Sequence, residues 1–192
     1  MHKKYISIIL LILLSCNPVK HKYPQVIINT SYGGVLVELY PERAPVTVAA
    51  FLSYVDAGFY KNSAFYRVLS NENVPAENNS GLIQGGIYTT NPAKLSTIKG
   101  IPHESTKKTG LAHTDGAISL ARTAPGTAST EFFICIGDQP QFNATADTIS
   151  GQGFAAFGMV INGMDIVRKI QNSGSRGESF TNSIKINSVE RL

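Results

Sequence analysis

The sequence reads FYRVL at residues 65–69 and LIQGG at residues 82–86, with a polar interruption between the two runs. Both runs have the composition of short β-strands. In the second run, Leu82 and Gln84 share a face, because alternate residues of a strand point the same way. We therefore predict that Arg67 and Gln84, on neighbouring strands, form a donor-rich site beside apolar side chains.

The first of these strands is predicted to divide its side chains between two faces. Strict alternation puts Phe65, Arg67 and Leu69 on one side of the strand, and Tyr66 and Val68 on the other. Arg67 would then share its face with an aromatic and an aliphatic residue.

Composition indicates one globular domain. Of the 192 residues, 43% are hydrophobic and 16% are charged, which is enough to build an apolar core. The formal net charge of +4 falls to about +2 without Lys3 and Lys4, since fifteen Lys and Arg then face thirteen Asp and Glu. Because there is no basic run and no interleaving of basic with aromatic residues, we expect no nucleic-acid partner.

The N-terminus has the layout of a secretory signal. A short positive region, His2-Lys3-Lys4, precedes an apolar run from Ile6 to Leu14 that is too short to span a bilayer as a helix. We predict a signal peptide over residues 1–15, a tether over 16–24 and a folded domain over 25–192.

Cys16 directly follows Leu13-Leu14-Ser15, a pattern that resembles the bacterial lipobox. The resemblance implies cleavage before Cys16 and acylation of its thiol. The protein would then lie in a bacterial cell envelope, held to a membrane by the lipid anchor only, on the periplasmic or extracellular side. A simple secretory signal with an incidental cysteine is the alternative.

The other cysteine, Cys135, lies in an apolar run and is predicted to be a packed residue rather than a nucleophile. With Cys16 acylated, no intrachain disulfide can form. The four histidines are scattered rather than set at metal-ligand spacing, so we expect no metal site.

Strand and helix patterns follow along the rest of the chain. Two β-rich runs, 25–30 and 35–39, flank a glycine turn and predict a hairpin. Apolar residues at helical spacing predict a helix over about residues 45–57 and a second short helix over 163–170. Further strands are predicted at 116–121, 130–136, 154–161 and 183–189. About eight short strands and two helices indicate a mainly β fold, a closed eight-stranded antiparallel β-barrel capped by two α-helices.

Two segments are predicted to be long surface loops. Residues 70–81 are rich in Asn, Glu and Pro, and residues 87–108 show little periodicity. Because long loops in compact domains are often functional, the second segment is a candidate rim of a binding site.

Several short motifs occur in order along the chain. They are Phe65-Tyr66-Arg67-Val68, Gln84-Gly85-Gly86, Ala121-Arg122 with Pro125-Gly126, Phe132-Phe133-Ile134, and Phe157-Gly158-Met159-Val160 before Gly163-Met164-Asp165. Together they resemble a cyclophilin-type peptidyl-prolyl cis-trans isomerase, over about residues 26–190. The resemblance implies a cyclophilin-like barrel, isomerisation of X-Pro bonds without a cofactor, and proline-containing polypeptides as substrates. We also expect a monomer. Combined with the export signal, the resemblance implies an enzyme that assists the folding of exported or envelope proteins.

The same resemblance implies the site residues. Arg67 would donate a hydrogen bond toward the prolyl nitrogen, a role that its fixed charge suits. Gln84 would orient Arg67 or hold the substrate carbonyl, and Phe133, on a predicted solvent-facing side of its strand, would line the proline pocket. The implied substrate-binding residues are Leu82, Ala121, Arg122, Glu131, Phe142 and Phe154.

The sequence departs from the family pattern at several positions. Gly81 stands for an aromatic residue, Arg122 for an Asn, Glu131 for a Gln and Phe154 for a His, and the chain contains no Trp. Glu131 either pairs with Arg67 and competes with substrate, or pairs with Arg122 or solvent. Between the first two motifs the chain is about nine residues longer than compact relatives, an insertion that costs little for folding.

Two other function classes are compatible with parts of the pattern. A proline-peptide-binding module or chaperone would keep the pocket but have weak or no isomerase activity. A lipocalin-like carrier would also be an eight-stranded barrel, but it needs an open lumen, which Ile118, Leu120, Phe132 and Ile134 would fill.

Overall fold

A computed structural model describes residues 22–71, 74–75, 78–146 and 151–192. The predicted signal peptide, the lipidation site Cys16 and all but the end of the tether lie outside these residues. The strands are β1 (Gln25–Thr30), β2 (Gly33–Leu39), β3 (Ser63–Leu69), β4 (Gly81–Gly86), β5 (Ala117–Leu120), β6 (Phe132–Ile136), β7 (Ala155–Asn162), β8 (Ser175–Arg176) and β9 (Ser179–Arg191). The α-helices in this part of the chain are α1 (Pro45–Asp56), α2 (Pro92–Leu95), α3 (Thr106–Thr109) and α4 (Met164–Gln171).

The strands form a closed antiparallel barrel. Eight of them follow the order β1-β2-β7-β5-β6-β4-β3-β9, and β9 pairs back onto β1. The two-residue β8 pairs with β9 alone, as a short hairpin outside the barrel. The predicted eight-stranded barrel is confirmed, and α1 and α4 are the two predicted helices.

Side chains fill the interior of the barrel. Ile118, Leu120, Phe132 and Ile134 are completely buried. The ring of Phe132 packs edge-on against three other aromatic rings at centroid distances of 5.5, 5.7 and 5.8 Å. A filled core of this kind stabilises the fold, and truncating one such ring to Ala typically costs about 3–5 kcal/mol. It also excludes the open lumen that a lipocalin-like carrier needs.

Helix α1 begins without a side-chain cap of its own. Ala44 occupies the N-cap position, and Pro45 starts the helix, where a missing N–H costs nothing. The buried carboxylate of Glu104, from the loop before α3, instead accepts hydrogen bonds from the Thr47 backbone N–H and hydroxyl, both at 2.8 Å, and from Val46 N–H at 3.3 Å. The segment 87–108 is therefore not structureless: it carries α2 and the loop that anchors α1.

A β-bulge interrupts β3. Phe65 pairs with Gly85 and Arg67 pairs with Gln84, so Tyr66 is an extra residue on the β3 side. Phe65 and Val68 are buried in the core, whereas Tyr66 and Arg67 are both half-buried on the outer face. The strict alternation predicted for this strand is wrong at Phe65 and Tyr66, because one inserted residue shifts the faces on either side of a bulge.

Gly81, at the start of β4, has a φ of +144°, and a Cβ placed there would lie 2.1 Å from the carbonyl oxygen of Leu69. That conformation and that close approach both require glycine. The family's aromatic side chain at this position is therefore incompatible with the backbone of this protein.

Candidate active site

A groove of about 830 Å³ runs over the outer face of the barrel. Its lining residues come from β3, β4 and β6, from the segments that follow β4 and β5, and from the segment that precedes β7. All nine residues predicted to catalyse or to bind substrate line this groove: Arg67, Leu82, Gln84, Ala121, Arg122, Glu131, Phe133, Phe142 and Phe154.

The floor of the groove is an aromatic cluster centred on Phe133. Its ring meets those of Phe142 and Phe154 edge-on, with both centroid distances 5.4 Å, and Leu82 packs in the same cluster. Phe133 is only 2% exposed, so the prediction that it faces solvent is wrong. The neighbouring rings cover it. They belong to separate loops, and the alternation of residues along a strand does not predict where loop side chains pack.

A buried histidine supports this floor. His113 stacks on Phe133 with a centroid distance of 5.8 Å, and its Nδ1 lies 2.8 Å from Oδ1 of Asn143. The same Oδ1 accepts a hydrogen bond from the His113 backbone N–H, which can only donate, so Nδ1 carries the ring proton. Nε2 then accepts from the hydroxyl of Ser119 at 3.0 Å. Burial lowers the pKa of His113, which favours this neutral form. In the sequence, His113 was one of four scattered histidines, and no local motif marks it.

The donor side of the groove is the guanidinium of Arg67. Nη1 donates to Oε1 of Gln84 at 2.9 Å, while Nε and Nη2 donate to Oε2 of Glu178 at 3.0 and 2.7 Å. Gln84 therefore contacts Arg67, as one of its two predicted roles requires. Glu178 lies in the turn between β8 and β9 and was not a predicted site residue.

Glu131 contacts neither of its two predicted arginine partners. Its Oε2 accepts a hydrogen bond from the hydroxyl of Tyr66 at 2.8 Å. Its Oε1 accepts from the backbone N–H groups of Ile87 and Tyr88 and from the hydroxyl of Thr130. Burial raises the pKa of Glu131, and these hydrogen bonds oppose the rise. The predicted pairings with Arg67 and with Arg122 are both wrong, because Tyr66, Thr130 and two backbone N–H groups are the partners of the carboxylate instead.

Arg122 also lines the groove. Its Nε and Nη2 both donate to the carbonyl of Gly153, and its guanidinium lies 5.1 Å from the centre of the Phe154 ring. Burial lowers the pKa of Arg122. Through its contacts with this carbonyl and with the face of the ring, the Arg122 guanidinium holds Phe154 in place at the floor of the groove.

Cys135 belongs to the same outer cluster as Phe133 but is fully buried. Burial raises the pKa of its thiol to about 12, so the group stays protonated and packs as a small apolar residue.

In the described ranges, no cluster of three or more His, Cys, Asp or Glu side chains is arranged to hold a metal ion. Among the helices described here, none combines the length and the apolar character needed to cross a membrane.

Comparisons with known proteins agree with this geometry. The family model "Cyclophilin type peptidyl-prolyl cis-trans isomerase/CLD" matches residues 25–191. A peptidyl-prolyl cis-trans isomerase of Acinetobacter baylyi is 38% identical over 145 residues, which cover 75% of this chain and 70% of that protein. The peptidyl-prolyl cis-trans isomerase B of Escherichia coli is 34% identical over 144 residues, 74% of this chain and 81% of that protein.

A solved structure shows the same fold. The crystal structure of a cyclophilin-type isomerase from Cryptosporidium parvum superposes with a TM-score of 0.70 at 23% identity, covering 88% of this chain and 98% of that one. The family match spans nearly all of the described barrel, and the two bacterial relatives exceed 30% identity over most of their own length. The chain belongs to the cyclophilin-type peptidyl-prolyl cis-trans isomerases.

Proposed function

We propose that this isomerase accelerates rotation about X-Pro bonds in exported or envelope polypeptides, while a lipid on Cys16 holds it at a membrane of a bacterial cell envelope. The isomerase activity follows from the family. The place of action rests on the N-terminal sequence, whose signal-like run ends in a lipobox-like cysteine.

The reaction needs no covalent chemistry. An X-Pro amide turns slowly because resonance keeps it planar, with a barrier of about 18–20 kcal/mol. Catalysis requires tighter binding of the twisted state than of either planar state. In the twisted state the prolyl nitrogen becomes pyramidal and gains a lone pair, which a positioned cationic donor stabilises.

The observation that carries this proposal is the Arg67 guanidinium, held from two sides next to an apolar floor. Gln84 and Glu178 together take up three of its five N–H groups. Among the described residues, none accepts a hydrogen bond from the other two, which can therefore donate toward a proline ring seated over Phe133. A rigid donor beside an apolar pocket suits the twisted imide better than a mobile surface arginine would.

A protease-free isomerisation assay on a short X-Pro peptide tests the activity. We expect acceleration by the wild type and near loss of it in Arg67→Ala. Arg191→Ala is the matched control, because Arg191 is also a half-exposed, ion-paired arginine but lies outside the groove. A wild-type rate equal to the uncatalysed rate would overturn the proposal.

Labelling with a radioactive fatty acid tests the anchor separately. We expect the full chain to take up the label and to sediment with membranes when produced in a bacterium, and Cys16→Ser to do neither. An unlabelled wild type would contradict the lipid anchor and favour the alternative, a simple secretory signal. We also propose that the folded domain is a monomer. Light scattering on the domain from residue 25 onward is expected to give the mass of a monomer, and a dimer mass would contradict this.

A further inference from the structure

Arg67 is the last member of a chain of four side chains that begins at the half-buried carboxylate of Glu131. The links run from Glu131 to Tyr66, from Tyr66 to Gln84 and from Gln84 to Arg67, with donor–acceptor distances of 2.8, 2.8 and 2.9 Å. We propose that Tyr66 and Glu131 are positioning residues for the isomerase reaction, which set the orientation of the Gln84 amide and, through it, of the Arg67 guanidinium. The proposal deepens the proposed function and rests on it.

The direction of the chain is determined at the Glu131 end. Its Oε1 accepts from two backbone N–H groups, those of Ile87 and Tyr88, at 2.8 and 3.1 Å. Backbone N–H groups donate and never accept, so Oε1 of Glu131 must be an acceptor. The other oxygen, Oε2, accepts the hydrogen bond that the hydroxyl of Tyr66 donates.

The direction of the hydrogen bond between Tyr66 and Gln84 follows from the one between Tyr66 and Glu131. Because its single proton points at Glu131, the phenol oxygen faces Gln84 as an acceptor, and it takes a hydrogen bond from Nε2. Burial and the neighbouring carboxylate raise the pKa of Tyr66, so the hydroxyl keeps its proton. The Gln84 amide is thereby held with Oε1 toward Arg67. The opposite orientation would place an NH₂ group against a guanidinium, which has no acceptor.

The bulge in β3 makes the chain possible. In a regular strand Tyr66 and Arg67 would point to opposite faces, and the tyrosine would enter the barrel core. The extra residue puts both consecutive side chains on the groove side, where each reaches Gln84 on β4. Glu178 then fixes the other edge of the guanidinium, so Arg67 is held at both ends.

The two variants that test the proposal are Tyr66→Phe and Glu131→Gln. Tyr66→Phe removes one hydroxyl and keeps the ring. Glu131→Gln keeps an acceptor for the backbone N–H groups but turns a donor toward Tyr66, which favours the reversed amide at Gln84. We expect each variant to lower kcat by about tenfold with a smaller change in KM, the change that follows from losing about 1.4 kcal/mol of transition-state stabilisation. If Glu131 competed with substrate, Glu131→Gln would raise activity instead.

Coupling between the two variants separates positioning from general destabilisation. Both act through one chain, so the double variant should be no slower than Tyr66→Phe alone, whereas independent structural defects would multiply. Tyr32→Phe and Glu104→Gln are the matched controls. Tyr32 lies outside the groove, and Glu104 is another carboxylate that accepts hydrogen bonds from backbone N–H groups but does not reach Arg67. Both controls should keep wild-type kcat, although Glu104→Gln should unfold more easily.

NMR of the Gln84 side-chain amide gives a readout that does not depend on turnover. In the wild type we expect two widely separated, slowly exchanging NH₂ signals, and in Tyr66→Phe their collapse toward the positions of a free amide. Wild-type kcat in both variants, or multiplied losses in the double variant, would overturn the proposal. If the wild type proved inactive, the proposed function would fail, and the amide signals would still decide whether Tyr66 and Glu131 position Gln84.

Discussion

Arg67 and Glu178 lie 111 positions apart in the chain, yet Nη2 of the arginine is 2.7 Å from Oε2 of the glutamate. The contact exists because β8 and β9 form a small hairpin beside β3. Arg67 of β3 pairs with Ser179 of β9, which directly follows Glu178. Both side chains are more than one-third exposed, so the pair orients the guanidinium more than it stabilises the fold.

Replacing Glu178 should therefore affect catalysis more than stability. We expect Glu178→Gln to lower kcat/KM about threefold, because the guanidinium loses one of its two fixed edges, and to change the free energy of unfolding by less than about 0.5 kcal/mol. Isomerisation kinetics and urea denaturation measure the two effects. A loss of stability larger than the loss of activity would show that the pair serves the fold instead.

Gly81 should tolerate no side chain. We expect Gly81→Ala to lower the free energy of unfolding by about 3 kcal/mol or more, because the new Cβ meets the Leu69 carbonyl and the positive φ is strained. Gly174→Ala is the matched control: its φ is +100° but no atom lies within 4 Å of the new Cβ, so it should cost only about 1–2 kcal/mol. Equal losses in the two variants, measured by urea denaturation, would mean that the close approach to Leu69 is unimportant.

Glu104 should contribute to stability through the first turn of α1. Glu104→Ala leaves the N–H groups of Val46 and Thr47 without their acceptor inside the protein, which we expect to cost about 2–3 kcal/mol. Thermal unfolding should show the loss, and hydrogen exchange should show it at the start of the helix. Unchanged exchange of these amides would contradict the assignment of Glu104 as the cap of α1.

His113 should make stability depend on pH. Its pKa in the folded state is below the ordinary value of 6.5, so the unfolded chain binds this proton more readily than the folded one. Stability contributed by the neutral ring is present above pH 6.5 and is lost as the pH falls from there toward the folded pKa. Between about pH 8 and about pH 5.5, the wild type should lose stability relative to His113→Gln in urea denaturation. A difference between the two proteins that does not vary with pH would contradict a buried neutral His113.

Much of the fold could be predicted from the sequence because its signals are local. The apolar stripe of α1 follows helical spacing, and the predicted range ends one residue beyond the observed Asp56. Strand faces were correct where pairing is regular, as in β4, where Leu82 and Gln84 face the groove and Ile83 faces the core. All nine site residues that the family resemblance implied line one groove.

The partners of those residues are a tertiary property. Whether Tyr66 points into or out of the barrel depends on the register between β3 and β4, and the single inserted residue there leaves no mark in a run such as FYRVL. The contacts of Glu131 with Tyr66, of Glu178 with Arg67 and of His113 with Phe133 join distant segments. From the sequence alone, the strands and helices could be predicted because side-chain periodicity is a local property, and the site residues because the ordered motifs resemble a known family. Which side chain holds which, and in what orientation, was decided only by the closure of the barrel, because a hydrogen bond depends on distances that no spacing along the chain encodes.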